Sequence, residues 1–144
     1  MEIREMHEGE LERALELTGR VFLEFEGPDY TAQGIEEFQK SIRDPEYLEK
    51  LRFYGAFDNG ELRGTLATRE QGSHIALFFV EGKYQGTGIG KKLFERAKRD
   101  NTMGKMTVNA SPYACEIYHR LGFVDSDREQ IVDGIRFTPM TCYL

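Results

Sequence analysis

Between Gln85 and Gly90 the chain reads Gln-Gly-Thr-Gly-Ile-Gly, with glycine at every second position. Glycine lacks a Cβ and tolerates positive φ, so such a backbone turns tightly and lets a ligand come close to its amides. A helix is predicted over Gly88 to Asp100, with Ile89, Leu93 and Ala97 stacked four residues apart and the basic residues largely outside. The first amides of a helix have no partner within it, and the macrodipole favours an anion at that end. A phosphate or pyrophosphate is the natural guest.

Two familiar phosphate loops fail on spacing. A Walker loop requires glycine five positions before a Gly-Lys pair, where Gln85 stands before Gly90-Lys91, and Ser or Thr after the lysine, where Lys92 stands. A dinucleotide fingerprint starting at Gly86 requires glycine at the position of Lys91.

The elements around the loop follow from periodicity. His74 to Val80 is a mostly apolar run, the pattern of a strand buried on both faces, and it leads into the loop. Upstream, Phe53 to Phe57 and Leu62 to Arg69 are strand-like around Asp58-Asn59-Gly60-Glu61, a hairpin signal because Asn-Gly accepts positive φ. Ile3 to Met6 is expected as a first strand. From Glu8 onward Leu11, Leu15, Thr18 and Phe22 recur at helical spacing, and Gly27-Pro28 ends that helix. Thr31 caps a second helix with Ile35, Phe38 and Ile42 on its apolar face, and Asp44-Pro45 starts a short third one.

Downstream, Met106 to Asn109 is a short strand. Ser111-Pro112 opens a helix that Gly122 stops, and Phe123-Val124 and Ile135 to Tyr143 are closing strands around Asp133-Gly134. Meanders beside strand–helix–strand crossovers predict an α/β protein with a mixed sheet and helices on both faces. No repeat or Pro/Ser-rich linker interrupts the 144 residues, so a single domain over 1–144 is expected.

Composition removes several function classes. A net charge of −6 argues against general nucleic-acid binding. No apolar run is long enough to span a bilayer, and the charged amino terminus lacks a signal-peptide core, so a cytoplasmic protein without membrane attachment is expected. Cys115 and Cys142 are too few for a disulfide framework, and His7, His74 and His119 lack the pairing of a metal site, so no metal is expected.

The charge is unevenly placed. Val21 to Gln39 carries Glu24, Glu26, Asp29, Glu36 and Glu37 without a base, whereas the glycine loop lies in a basic segment from Lys83 to Lys105. The basic run suits an anionic ligand and the acidic run a cationic one; taken alone, each is equally a solvated face.

Gln85, Gly88 and Gly90, with Tyr84 before them, resemble the acetyl-CoA loop (Arg/Gln)-x-x-Gly-x-(Gly/Ala) of the GNAT superfamily of N-acetyltransferases. Ala114 to Phe123 resembles the same family's helix ending in Tyr-x-x-x-Gly-Phe, through Tyr118, Gly122 and Phe123. The inferred element order is similar over nearly the whole chain. The resemblance implies a sheet of about seven strands, largely antiparallel, and direct transfer of acetyl from acetyl-CoA to a primary amine of a small molecule or peptide. It also brings the expectation of a homodimer. An acyl-CoA-binding sensor of the same fold, without turnover, is the alternative.

The resemblance also implies roles. Backbone amides of Gln85, Gly86, Thr87, Gly88, Ile89, Gly90 and Lys91 would receive the pyrophosphate. Phe79 and Val80 would pair with the pantetheine arm where their strand splays from the next, and Asn109 would contact the arm or the acetyl region. Tyr118 would protonate the leaving thiolate; without the family it reads as a core tyrosine. His74 takes the place of a glutamate general base, with ordered water as the alternative, and it shares strand parity with Ala76 and Phe78. Phe25, Glu26 and Tyr30 lie where the family binds its acceptor, and the acids there suit a cationic amine.

Overall fold

The computed structural model describes residues 1–144. Asn59 and Gly60 both take positive φ, 51° and 80°, as a two-residue turn between twisted strands requires, and join β2 (Arg52–Asp58) to β3 (Glu61–Arg69). β1 (Glu2–Glu5) extends this meander on one side and β4 (His74–Val80) on the other, all antiparallel. β5 (Lys105–Ala110) then runs parallel to β4, and β8 (Ile135–Tyr143) pairs antiparallel with β5. β6 (Val124–Asp125) closes the order β1-β2-β3-β4-β5-β8-β6, while β7 (Gln130–Val132) pairs with β8 off that path. The sheet is thus mixed and mostly antiparallel as expected. Its eighth strand is Gln130–Val132, brought in by the Asp133-Gly134 turn.

Helices cover both faces. α1 (Leu11–Val21) continues without a break into a π-helical segment, Phe22–Glu26, before Gly27–Asp29 turns the chain. α2 (Ala32–Ser41) starts at Thr31, whose hydroxyl accepts from the Gly34 amide at 3.1 Å, and α3 (Pro45–Leu48) starts at Asp44 in the same manner. The α1 side buries Ala14, Leu17, Val21 and Phe22 against Phe57, Leu62, Leu77 and Phe79. On the opposite face α4 (Ile89–Lys98) and α5 (Cys115–Arg120) bury Leu93, Phe94, Ala97 and Tyr118 against Tyr54, Leu66, Ile75, Val108 and Met140.

Two irregularities in β4 set up the site. The register with β3 shifts between Ala67↔Leu77 and Thr68↔Ile75, so Ala76 is an extra residue, a bulge. A bulge reverses side-chain parity along a strand. Ile75 therefore belongs to the α4 side, whereas Leu77 and Phe79 belong to the α1 side. The strand is thus buried on both faces as expected, by Ile75 on one and by Leu77 and Phe79 on the other, with their neighbours partly covered. In addition, β4 pairs with β5 only at His74↔Thr107 and Ile75↔Val108. Beyond Ile75 the two strands part, and the backbone groups on that edge of β4 have no sheet partner.

Leu93 is fully buried between α4 and the sheet. Leu93→Ala should lower unfolding free energy by about 2–5 kcal/mol in urea denaturation; a loss under about 1 kcal/mol would contradict this packing.

Candidate active site

The loop after β4 is held from both ends. Tyr84 donates its hydroxyl to Asp58 at 2.9 Å, and the Gln85 amide nitrogen donates to the Val80 carbonyl at 3.0 Å. The other end of the Gln85 side chain accepts from the Tyr113 hydroxyl, so one glutamine ties β4 to the segment leading into α5. Gly86 and Gly88 take φ of 79° and 91°, with open space where a Cβ would point. Gly88 caps α4, and the amides of Gly86 and Gly88 make no backbone hydrogen bond. They join the free first amides of α4, with the exposed Lys91 beside them. The arrangement can hold an anion of phosphate type.

A cavity of about 310 Å3 runs from this loop along the free edge of β4. Phe78, Phe79, Val80, Gln85, Gly86, Gly88, Gly90 and Lys91 form one wall, and Tyr113, Ala114, Ile117, Tyr118 and Arg120 the other. Phe25 stacks on Tyr113 across it, ring centroids 5.4 Å apart, with Glu26 beside them. Tyr118 forms the inner end, edge-on to Phe78 at 5.9 Å and to Phe123 at 5.4 Å. Burial, then the charges of Glu26 and Tyr30, push its ionisation far above the ordinary phenol range, so it holds its proton.

A second cavity of about 210 Å3 opens on the other side of the same residues. Glu26, Phe78, Phe79, Ala114 and Tyr118 line both. The second lies where β4 and β5 part and adds Tyr30, Phe38, Ser41, Tyr47, Asn109, Ser111 and Ile135. Above it α2 meets the β7–β8 turn: Thr31 donates to the Gly134 carbonyl at 3.3 Å, and Gly34 packs so closely on Gly134 that a Cβ has no room. The Glu26 carboxyl is pushed up to about 7 by burial and by Asp29; the nearby Ser111 hydroxyl, which has no hydrogen-bond partner of ordinary geometry, pulls the other way.

The structure brings Tyr118, Phe79, Val80, Gln85, Gly86, Gly88, Gly90 and Lys91 to one cavity, with Phe25 and Glu26. Tyr30 and Asn109 lie in the second. Thr87 and Ile89 line neither: the Thr87 hydroxyl donates to Tyr84, and the Ile89 side chain is buried in the core, which leaves its amide alone at the loop.

His74 is not brought to either cavity. The bulge at Ala76 places it on the opposite face from Phe78, so the parity expected from the sequence does not hold. Its Nδ1 lies 2.8 Å from the Thr107 hydroxyl, and burial, then Arg69, lowers its pKa to about 4.

Tyr113, Ser111 and Tyr47 join the site without a sequence signal, because they reach it only through packing of distant segments. No group of three His, Cys, Asp or Glu side chains is placed to hold a metal, and no helix is long and apolar enough to cross a membrane.

A family model for the acetyltransferase (GNAT) domain matches residues 26–144. Among solved structures, the GCN5-related N-acetyltransferase from Rhodopseudomonas palustris superimposes with a TM-score of 0.84 at 19% identity, covering 99% of this chain and 95% of that one. The PaiA N-acetyltransferase from Thermoplasma acidophilum, solved in complex with coenzyme A, gives 0.72 at 18% identity, over 99% and 98%. Tetrahymena GCN5 gives 0.70 at 17%, over 99% and 96%. These likenesses show the fold. No curated protein sequence matches the chain.

The burial of His74 has a direct readout. Its imidazole should stay neutral down to about pH 4 in an NMR titration; titration near the ordinary value of about 6.5 would contradict its placement. The folded-state pKa lies below the unfolded one, so the stability His74 contributes is present above about pH 6.5 and is lost as pH falls towards 4.

Proposed function

The chain belongs to the acetyltransferase (GNAT) family, and on that premise we propose that it transfers acetyl from acetyl-CoA directly to a primary amine in a ternary complex. One observation carries the reading: a buried, protonated tyrosine, Tyr118, stands at the inner end of a cavity that begins at unpaired loop amides. The acetyl donor is long, with an anionic pyrophosphate at one end and a thioester at the other, and the cavity has matching ends.

In this reading the amides of Gly86, Gly88 and the first turn of α4 receive the pyrophosphate, and Lys91 and Arg120 add positive charge at the mouth. The pantetheine arm lies along the free edge of β4 and pairs with the backbone near Phe79 and Val80. The Gln85 side chain, which now occupies the Val80 carbonyl, would yield that acceptor to an arm amide.

The amine attacks the thioester carbonyl from the second cavity. As the carbon–sulfur bond breaks, Tyr118 gives its proton to the sulfur. Burial that keeps the phenol protonated also raises the proton affinity of the departing thiolate, so the transfer stays favourable. Asn109, near the end of β5, lines the second cavity beside Tyr118, which supports its contact with the arm or the acetyl region.

Saturating acetyl-CoA should raise the melting temperature, as any ligand selective for the folded state does; no shift would remove the donor assignment. Tyr118→Phe should keep that shift while CoA release in the presence of an amine falls by about 100-fold or more. Unchanged turnover would remove Tyr118 from this role.

A further inference from the structure

The second cavity has an unusual lining for a protein whose exposed surface is acidic. Of the acids between Val21 and Gln39, Glu24, Asp29 and Glu36 are exposed, and Glu26 alone lines the cavity. The π-helical stretch Phe22–Glu26 continues α1 to this point, and Glu26 is its last residue. No lysine, arginine or histidine lines the cavity; six aromatic residues do, Tyr30, Phe38, Tyr47, Phe78, Phe79 and Tyr118, with Ser41, Asn109 and Ser111 as neutral polar neighbours.

Charge, size and closure together restrict what fits. A single carboxyl among otherwise neutral side chains can neutralise one ammonium group, and a second cation buried there has no charged partner. At about 210 Å3 the chamber is smaller than the roughly 300–1,000 Å3 of drug-sized pockets. The Thr31 and Gly34 contacts with Gly134 join α2 to the β7–β8 turn, so no open groove for a peptide runs between them.

We propose that the acceptor is a small monoamine with an apolar or aromatic body, and that Glu26 receives its ammonium group and removes the proton that blocks attack. The inference rests on the acetyl-transfer reading above.

The steps balance. Glu26 carboxylate takes one proton from R–NH3+, leaving R–NH2. The nitrogen lone pair forms the new N–C bond, and the tetrahedral adduct collapses by breaking C–S. Tyr118 protonates the thiolate, and the second proton on nitrogen restores the Tyr118 phenol as the amide forms. Glu26 then releases its proton to solvent.

The groups facing Glu26 agree with this task. Asp29 and Tyr30 approach from its own segment, Ser111 from the end of β5, and Tyr113 and Tyr118 from the α5 side. None is a cation, so only the Ser111 hydroxyl favours the charged carboxylate. Its pKa of about 7 makes it able both to accept and to release a proton near neutral pH.

The test is the pH dependence of kcat/KM at saturating acetyl-CoA, followed by CoA release, with 2-phenylethylamine as acceptor. Wild type should rise with pH to a break near 7. Glu26→Gln should lose that break, climb on towards the ionisation of the free amine, and turn over about tenfold or more slower at neutral pH. Acetyl-CoA should raise the melting temperature of the variant as much as that of wild type, which checks fold and donor site together.

In a panel with spermidine, lysine and glutamate, 2-phenylethylamine should be favoured by about tenfold or more, the penalty for a further buried charge. A break retained in Glu26→Gln, or an unchanged rate, overturns the proposal while leaving acetyl transfer standing. Preference for spermidine, lysine or glutamate overturns the monoamine assignment. No transfer by wild type to any of the four amines overturns the transfer reading, and this inference with it.

Discussion

Two residue pairs, His74 with Thr107 and Ile75 with Val108, hold β4 to β5, and the rest of the site depends on the strands parting after them. A fully paired sheet would close that space with its own ladder of hydrogen bonds. The gap instead leaves one edge of β4 unpaired and opens a passage between the strands, with a cavity on either side of Phe78, Phe79 and Tyr118. The bulge at Ala76 acts at the same point. It turns Phe78 towards Tyr118 and leaves Leu77 and Phe79 facing α1, so the last turns of the strand line the passage from both sides. The two hydrophobic clusters keep the strands in place, since α4 and α5 pack on one face and α1 on the other.

The electrostatics divide along that passage. One end is an exposed loop with free amides beside Lys91 and Arg120, suited to a charged group that stays in contact with water. The inner end is enclosed by protein and holds two groups kept in their neutral forms by burial, the Tyr118 phenol and, in part, the Glu26 carboxyl. An acid and a base whose affinities are moved in this way suit proton transfer at neutral pH. The same burial that serves chemistry works against stability. The Glu26 carboxyl has a folded-state pKa above its unfolded value, so its favourable contribution is complete below about pH 4.5 and is lost as pH rises through about 7.

The local features of the fold were legible in the sequence. The Asn59-Gly60 hairpin, the Thr31 and Asp44 caps, the Gly122 stop and the glycine loop each depend on the conformational limits of a few adjacent residues. What depends on distant contacts was not. An inserted residue at Ala76 leaves no mark in an apolar run, because HIALFFV alternates equally well with or without it, and so His74 was expected on the face of Phe78. The π-helical segment likewise fits an ordinary helical pattern. For the acidic stretch, composition made Glu24, Glu26, Asp29 and Glu36 equivalent, and only packing separates the one carboxyl in the cavity from the three in solvent. The closing contact of Gly34 with Gly134 joins segments a hundred residues apart and has no local signal.

The central claim is that the passage between β4 and β5 is where donor and acceptor meet. A crystal structure with coenzyme A bound tests it most directly. The account predicts the pyrophosphate on the amides of Gly86, Gly88 and the first turn of α4, the arm along the free edge of β4, and the sulfur within hydrogen-bonding distance of the Tyr118 hydroxyl. A pyrophosphate bound elsewhere, or a sulfur remote from Tyr118 with the arm outside the passage, would contradict it.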